Sequence, residues 1–176
     1  MKILNIHGFM GAADNKNYKA LCGFIPQEDI VSLKLDYINR FPEDILSELS
    51  EILKSDSFII VGQSLGSWYA NQLSKRFEIP CIITNPCYFP HKCDIIHESG
   101  ISEDILAQYI KYSADSKNKN AHTICSDADE IIPDNYDNCV SFSAKVISVH
   151  GGHSSIENLS EHLKEMYEFV TEKYFR

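Results

Sequence analysis

The chain has 176 residues, of which 44% are apolar, and a formal net charge of −9 at pH 7. This length and apolar content suffice for a hydrophobic core, and we treat residues 1–176 as a single domain. The negative charge argues against nucleic acid and anionic membranes as partners, because both bind clustered Lys and Arg. Neither a membrane helix of roughly 20 apolar residues nor a signal-peptide pattern is present, so we expect a cytoplasmic protein.

Short β-like runs alternate with helical patterns along the chain. The runs are rich in Ile and Val and mostly continuous, which is typical of strands buried on both faces of a parallel sheet. Strands are predicted at residues 2–6, 30–33, 58–61, 81–84, 122–125 and 145–149. Helices are predicted from residue 42, from 64 to about 77, from 101 to 112, and from about 154–156 to 174. This alternation predicts a single α/β domain with right-handed crossovers.

The longest interruption between predicted strands runs from residue 87 to residue 121. It contains a loop, one helix and a polar tail at residues 117–120 that we interpret as a loop. We expect this segment to form a short cap or loop insertion over a site. Its Cys87, His91, Cys93 and His97 include no Cys-x-x-Cys pair, so we expect neither a metal nor a cofactor there.

The motif Gly62-Gln63-Ser64-Leu65-Gly66 lies between a predicted strand and a helical pattern. In this order, Gly-x-Ser-x-Gly is typical of a nucleophile elbow, a sharp turn that exposes one serine hydroxyl at the end of a strand. Glycine on either side relieves the crowding in such a turn. Ser64 is therefore the candidate nucleophile.

A serine hydroxyl is a poor nucleophile and needs a base, which a third group must orient. The candidate acid is Asp129, which lies a few residues beyond the predicted strand 122–125. Asp127 and Glu130 are alternatives, and all three are also plausible as acids that cap the following helix. In α/β-hydrolases the acid follows the serine along the chain, as it does here.

The candidate base is His153, which follows Gly151-Gly152 after the last predicted strand. A histidine suits this role because imidazole has an ordinary pKa of about 6.5 and so accepts and returns a proton near neutrality. His150 is the alternative, although a residue at a strand end is more typical of packing. The chain order is therefore serine, acid, histidine.

An acyl-transfer site also needs an oxyanion hole. One donor is expected to be the backbone N–H of Leu65, the residue after the candidate nucleophile. The second is expected from the loop His7-Gly8-Phe9-Met10-Gly11 after the first strand, with Phe9 as the donor and Met10 as the alternative.

With these motifs in place, the chain resembles the α/β-hydrolases, and in particular the small bacterial YqiA-like esterases. The resemblance spans nearly the whole chain and rests on His7-Gly8-Phe9, Gly62-Gln63-Ser64-Leu65-Gly66, Thr84-Asn85-Pro86, Asp129-Glu130-Ile131-Ile132 and Gly151-Gly152-His153. It implies a minimal α/β-hydrolase fold, a three-layer α/β/α sandwich with about six parallel strands in the order 2-1-3-4-5-6. It also implies Ser64, Asp129 and His153 as nucleophile, acid and base of a carboxylesterase for short acyl chains.

We therefore expect a serine hydrolase that cleaves a small-molecule acyl ester or thioester through an acyl-enzyme intermediate. Tyr88, Phe89 and Trp68 are candidates for an apolar pocket, with Trp68 equally a candidate for the core. Two alternatives remain: an acyltransferase or peptidase on the same triad, and a non-catalytic binding protein with a hydrolase fold. The assembly state is open between a monomer and a homodimer.

Overall fold

A computed structural model describes residues 1–175 and is built around a six-stranded parallel sheet. The strand order is β2-β1-β3-β4-β5-β6, and every neighbouring pair is parallel. The strands are β1 (Lys2–Ile6), β2 (Ile30–Ser32), β3 (Phe58–Gln63), β4 (Cys81–Thr84), β5 (Asn118–Ser126) and β6 (Ser143–Val149). The predicted α/β fold and strand order are confirmed.

Helices cover the sheet, and local sequence signals mark where several of them begin. They are α1 (Lys16–Leu21), α2 (Pro42–Leu53), α3 (Leu65–Phe77), α4 (Asp94–His97), α5 (Glu103–Lys111), α6 (Asn135–Phe142) and α7 (Leu159–Phe175). The side chains of Asn15 and Ser102 accept hydrogen bonds from amides in the first turns of α1 and α5, and Pro42 occupies the first turn of α2. Within residues 1–175, no helix has the length and apolar character needed to cross a bilayer.

The sheet separates two hydrophobic cores because successive strand residues point to opposite faces. In β1, Leu4 and Ile6 join one core and Ile3 joins the other. The first core contains apolar side chains of α2, α3, α5 and α6, and the second contains those of α1 and α7. The result is an α/β/α sandwich in which the carboxyl ends of all six strands share one edge.

Several predicted boundaries differ from the structure by one or two residues, and two differ by more. The last helix begins at Leu159 rather than at residues 154–156, because Gly151–Gly152 (β7) and Ser155–Ile156 (β8) pair as a small antiparallel ribbon. The polar segment at residues 117–120, predicted as a loop, instead contains the first residues of β5. There Asn118 is buried and donates hydrogen bonds to Asn71 and Ser74 of α3.

Candidate active site

Ser64 lies in a sharp turn between β3 and α3, at the carboxyl edge of the sheet. Its backbone has φ 51° and ψ −119°, a conformation that residues other than glycine rarely adopt. Three backbone hydrogen bonds hold it there: the Ser64 amide donates to Thr84 O (3.0 Å), and the amides of Ser67 (2.9 Å) and Cys87 (3.1 Å) donate to Ser64 O. The turn therefore has the strained geometry of a nucleophile elbow.

The glycines around Ser64 leave room for close backbone approaches. A methyl group on Gly66 would overlap the carbonyl oxygens of Ile6 and His7 in and after β1. A methyl group on Gly62 would lie 2.7–2.8 Å from atoms of α3. Both positions require glycine for steric reasons, because carbon atoms do not approach neighbouring backbone this closely.

The structure brings Ser64, His153 and Asp129 into one hydrogen-bonded row. Ser64 Oγ is 2.8 Å from Nε2 of His153, and the Asp129 carboxylate oxygens are 2.9 and 2.8 Å from Nδ1 of the same ring. The side chains of His153 and Asp129 are only 7% and 3% exposed. Since a carboxylate can only accept, Nδ1 carries a proton that it donates to Asp129, and Nε2 is free to accept the Ser64 hydroxyl proton.

The loop that holds Asp129 is built around this carboxylate. Asp129 Oδ1 also accepts hydrogen bonds from the amides of Ile131 (3.0 Å) and Ile132 (2.8 Å). The neighbouring Glu130 accepts the backbone N–H of His153 at 2.8 Å. Glu130, an alternative acid in the sequence, therefore holds the histidine backbone and leaves its ring to Asp129.

Asn85 directly follows β4 and contacts the turn that carries His153, although the sequence motifs predicted no individual role for it. Its side chain is fully buried, donates to the carbonyls of His153 (2.8 Å) and Gly152 (3.2 Å), and accepts from the amide of Ser126 (2.7 Å). It thus ties the end of β5 to the turn that carries the histidine. The sequence feature that could have indicated this role is the polar pair Asn85-Pro86 directly after an apolar strand.

Asp127 and His150, the alternative candidates for acid and base, contact each other on the surface. Asp127 Oδ2 is 3.0 Å from Nδ1 of His150, and both side chains are substantially exposed. This contact lowers the pKa of Asp127 and raises the pKa of His150. Neither residue lines the cavity that contains Ser64.

The two predicted oxyanion-hole donors lie close to Ser64, because Leu65 directly follows it and Phe9 lines the same cavity. Leu65 is the first residue of α3, and Phe9 follows Gly8, at which an added methyl group would lie 3.1 Å from Ser64 Cβ. Among residues 1–175, neither amide has a hydrogen-bond acceptor. The buried His7 stabilises this loop, with Nδ1 2.7 Å from Gly8 O and Nε2 accepting the amide of Leu35 at 2.9 Å; its burial lowers its pKa.

Ser64 and His153 open into a cavity of about 380 Å³. The apolar residues in its walls include Phe9, Met10, Ile95, Ile96 and Ile131. The segment 87–121 thus contributes α4 to the walls of this cavity.

A second cavity of about 640 Å³ shares Cys87, Cys93, Ile95 and Ile131 with the first. Tyr88 and Phe89 line it, whereas Trp68 is buried in the core against Tyr69 and Tyr109. Within residues 1–175, no three His, Cys, Asp or Glu side chains are grouped to hold a metal ion.

The chain is similar in fold to solved structures of α/β hydrolases. An α/β hydrolase enzyme from the metagenome of lagoon sediments (Mar Chica, Morocco) is 18% identical, with a TM-score of 0.69 over 99% of this chain and 92% of that one. The mouse α/β hydrolase domain-containing protein 10 is 15% identical, with a TM-score of 0.74 over 98% and 90%. The type II thioesterase BorB of the borrelidin biosynthetic cluster is 14% identical, with a TM-score of 0.62 over 97% and 89%.

The strand order and these similarities show that the chain has the α/β-hydrolase fold. The model of the uncharacterised protein family UPF0227 matches residues 2–171, and the chain belongs to that family. The resemblance drawn from the sequence motifs is thereby confirmed at the level of fold and family.

Proposed function

We propose that this α/β hydrolase is a serine hydrolase of carboxylesterase type that cleaves a small-molecule acyl ester through an acyl-enzyme intermediate. The observation that carries the proposal is the row of contacts from Ser64 Oγ to His153 Nε2 (2.8 Å) and from His153 Nδ1 to Asp129 (2.8 Å). Nucleophile, base and orienting acid are the groups that a covalent acyl transfer requires.

In the first half of the reaction, Nε2 of His153 accepts the Ser64 proton as Oγ attacks the acyl carbonyl carbon. The negative charge that develops on the carbonyl oxygen is stabilised by the N–H groups of Leu65 and Phe9. The protonated His153 then donates its proton to the leaving alcohol, and the acyl group stays on Ser64. Asp129 fixes the imidazole orientation and stabilises the imidazolium.

In the second half, water replaces the alcohol. His153 accepts a proton from the water as its oxygen attacks the acyl-enzyme carbonyl, and the same amides stabilise the second oxyanion. The proton returns to Ser64 Oγ as the carboxylic acid leaves, which restores the starting enzyme.

The cavity walls support an uncharged acyl group. The cavity next to Ser64 has mainly apolar side chains in its walls, together with Asn15, Lys16 and Gln63, and its volume of about 380 Å³ suits a small molecule. The adjoining cavity is lined by three carboxylates (Asp94, Glu98 and Glu130) against one ammonium group (Lys92). This charge balance repels polyanionic acyl carriers, so we propose simple esters rather than coenzyme A thioesters.

Active-site labelling tests the proposal directly. The intact protein is expected to react covalently with a fluorophosphonate probe at Ser64, identified by peptide mass spectrometry, and Ser64→Ala is expected to abolish the reaction. Ser47→Ala is the matched control, because Ser47 is an exposed serine of α2 and should leave labelling unchanged. Absence of labelling in the intact protein, or equal labelling in Ser64→Ala, contradicts the proposal.

Substrate class and reaction type need two further measurements. On a series of p-nitrophenyl esters, kcat/KM is expected to peak at short acyl chains, because the cavity of about 380 Å³ at Ser64 must hold both the acyl group and the leaving group. Product analysis with added alcohol or amine acceptors separates hydrolysis from acyl transfer. Exclusive transfer to an acceptor would replace the esterase proposal with an acyltransferase on the same residues.

A further inference from the structure

Two cysteines lie in the wall of the cavity that contains Ser64. Cys87 and Cys93 both line this cavity and the adjoining one, and their thiol groups interact with each other. Cys87 is almost fully buried, whereas Cys93 is partly exposed. The mechanism above uses neither thiol.

The surroundings of Cys93 favour its thiolate. The Cys87 thiol, the amides of Ile95 and Ile96 and the nearby His153 together lower the pKa of Cys93 to about 6, although partial burial opposes this. The same contact and burial raise the pKa of Cys87. A thiolate that is accessible from a cavity, with a protonated thiol beside it, is the arrangement of a reactive and a resolving cysteine.

We propose that Cys93 and Cys87 form a peroxide-sensitive thiol pair in the wall of the Ser64 cavity, and that their oxidation to a disulfide restricts access to Ser64. The Cys93 sulfur attacks hydrogen peroxide, the O–O bond breaks, and the sulfur becomes a sulfenic acid while hydroxide leaves and takes a proton from solvent. The Cys87 sulfur then attacks the sulfenic sulfur, the S–O bond breaks, and hydroxide leaves as water with the Cys87 proton. The thiol pair loses two electrons and the peroxide gains them, so one peroxide yields one disulfide and two waters.

The positions of the two cysteines explain why the disulfide restricts the cavity. The Cys87 amide donates to Ser64 O at 3.1 Å, which fixes Cys87 to the elbow. Cys93 directly precedes α4, and its carbonyl accepts the amides of Ile96 (3.0 Å) and His97 (3.2 Å). Because a covalent bond is shorter than a contact between two thiols, the disulfide draws α4, whose Ile95 and Ile96 line the cavity, towards the elbow.

The test uses the full chain, first reduced and desalted and then treated with hydrogen peroxide. After alkylation and tryptic digestion, we expect a Cys87–Cys93 disulfide; cleavage after Lys92 makes it visible as two linked peptides. In parallel, the rate of fluorophosphonate labelling at Ser64 is expected to fall roughly fivefold or more and to recover with dithiothreitol. Dithiothreitol reduces a disulfide but does not reverse sulfoxidation of the exposed Met10. Recovery of the labelling rate therefore attributes its loss to the disulfide.

Variants assign the effect to the pair. Relative to its own untreated rate, Cys93→Ser is expected to be insensitive to peroxide, whereas Cys22→Ser, which removes an exposed cysteine, retains the full response. The paired but fully buried Cys125 and Cys139 are expected to remain thiols. The proposal is overturned if no Cys87–Cys93 disulfide forms, if it forms without slowing the labelling, or if Cys93→Ser responds like the parent protein. A protein that never labels at Ser64 contradicts the proposed hydrolase, and the peptide analysis then decides the thiol pair independently.

Discussion

Replacing Asp129 with asparagine tests the role proposed for the buried carboxylate. In Asp129→Asn, the remaining oxygen can stay at the Oδ1 position, where it accepts the amides of Ile131 and Ile132, so the new NH2 group takes the place of Oδ2, the oxygen nearest to Nδ1 of His153 (2.8 Å). An NH2 group cannot accept the proton of Nδ1, which favours the ring tautomer with its proton on Nε2. That proton occupies the position that must receive the Ser64 proton, so the base is lost while the fold persists.

The magnitude follows from the analogous change in serine proteases, where the wrong tautomer lowers kcat about 10^4-fold. This corresponds to about 5.4 kcal/mol of transition-state stabilisation, at about 1.36 kcal/mol for each factor of ten. The assay is kcat on a short-chain p-nitrophenyl ester, with urea denaturation to establish that the variant is folded. KM is expected to change little, because Asp129 does not line the cavity.

Asp127→Asn is the matched control, since Asp127 makes an equivalent contact to a histidine but on the surface. Its kcat is expected to stay within about twofold of the parent value, because removing one exposed ion-pair partner has little effect. A folded Asp129→Asn protein that keeps more than a tenth of the parent kcat would refute the reasoning. A large loss in Asp127→Asn alone would move the acid role to Asp127.

Three further changes probe the scaffold. Gly66→Ala is expected to lower the free energy of unfolding by about 3 kcal/mol, because the methyl group overlaps carbonyl oxygens at the end of β1; Gly23→Ala, with its nearest contact at 3.1 Å, is the milder control in urea denaturation. Asn85→Ala is expected to lower that free energy by about 2–4 kcal/mol and to slow Ser64 labelling, and parent-like values for both would contradict its role. Burial, with help from two lysines, lowers the pKa of His122 to about 4, so the unfolded chain takes up its proton first as the pH falls. Stability is then complete above about pH 6.5 and declines by up to ~3 kcal/mol towards pH 4; His122→Gln should flatten this decline, and an unchanged decline would exclude His122 as its source.

The sheet was predictable because its signal is local. Strands buried on both faces give continuous apolar runs, and Ile59, Ile60 and Val61 of β3 are each fully buried. The elbow was predictable for the same reason, since Gly62 and Gly66 are required by contacts within a few residues of Ser64 and with the adjacent β1.

The errors occur where distant contacts override the local pattern. Residues 117–120 are polar, which is typical of a loop. In the structure, however, the Asn118 side chain donates hydrogen bonds to Asn71 and Ser74, more than forty positions away in sequence. The start of α7 was predicted too early because Ile156 fits the apolar stripe of the helix. Its backbone pairs instead with Gly151, so the helix begins three residues later.

The candidate acid and base could not be identified from spacing alone. Asp127 and His150 are 23 positions apart and Asp129 and His153 are 24 apart, and both pairs form hydrogen bonds in the structure. The two pairs differ in their surroundings. Asp127 and His150 are exposed, whereas the side chains of Asp129 and His153 are buried, and Glu130 and Asn85 form hydrogen bonds with the backbone of His153. Asn85 reaches that backbone across 68 positions of sequence, a contact that no local pattern encodes. Burial of the Asp129–His153 pair excludes water from its hydrogen bonds and holds the imidazole ring against Ser64. The proposed roles of Asp129 and His153 depend on this difference in burial.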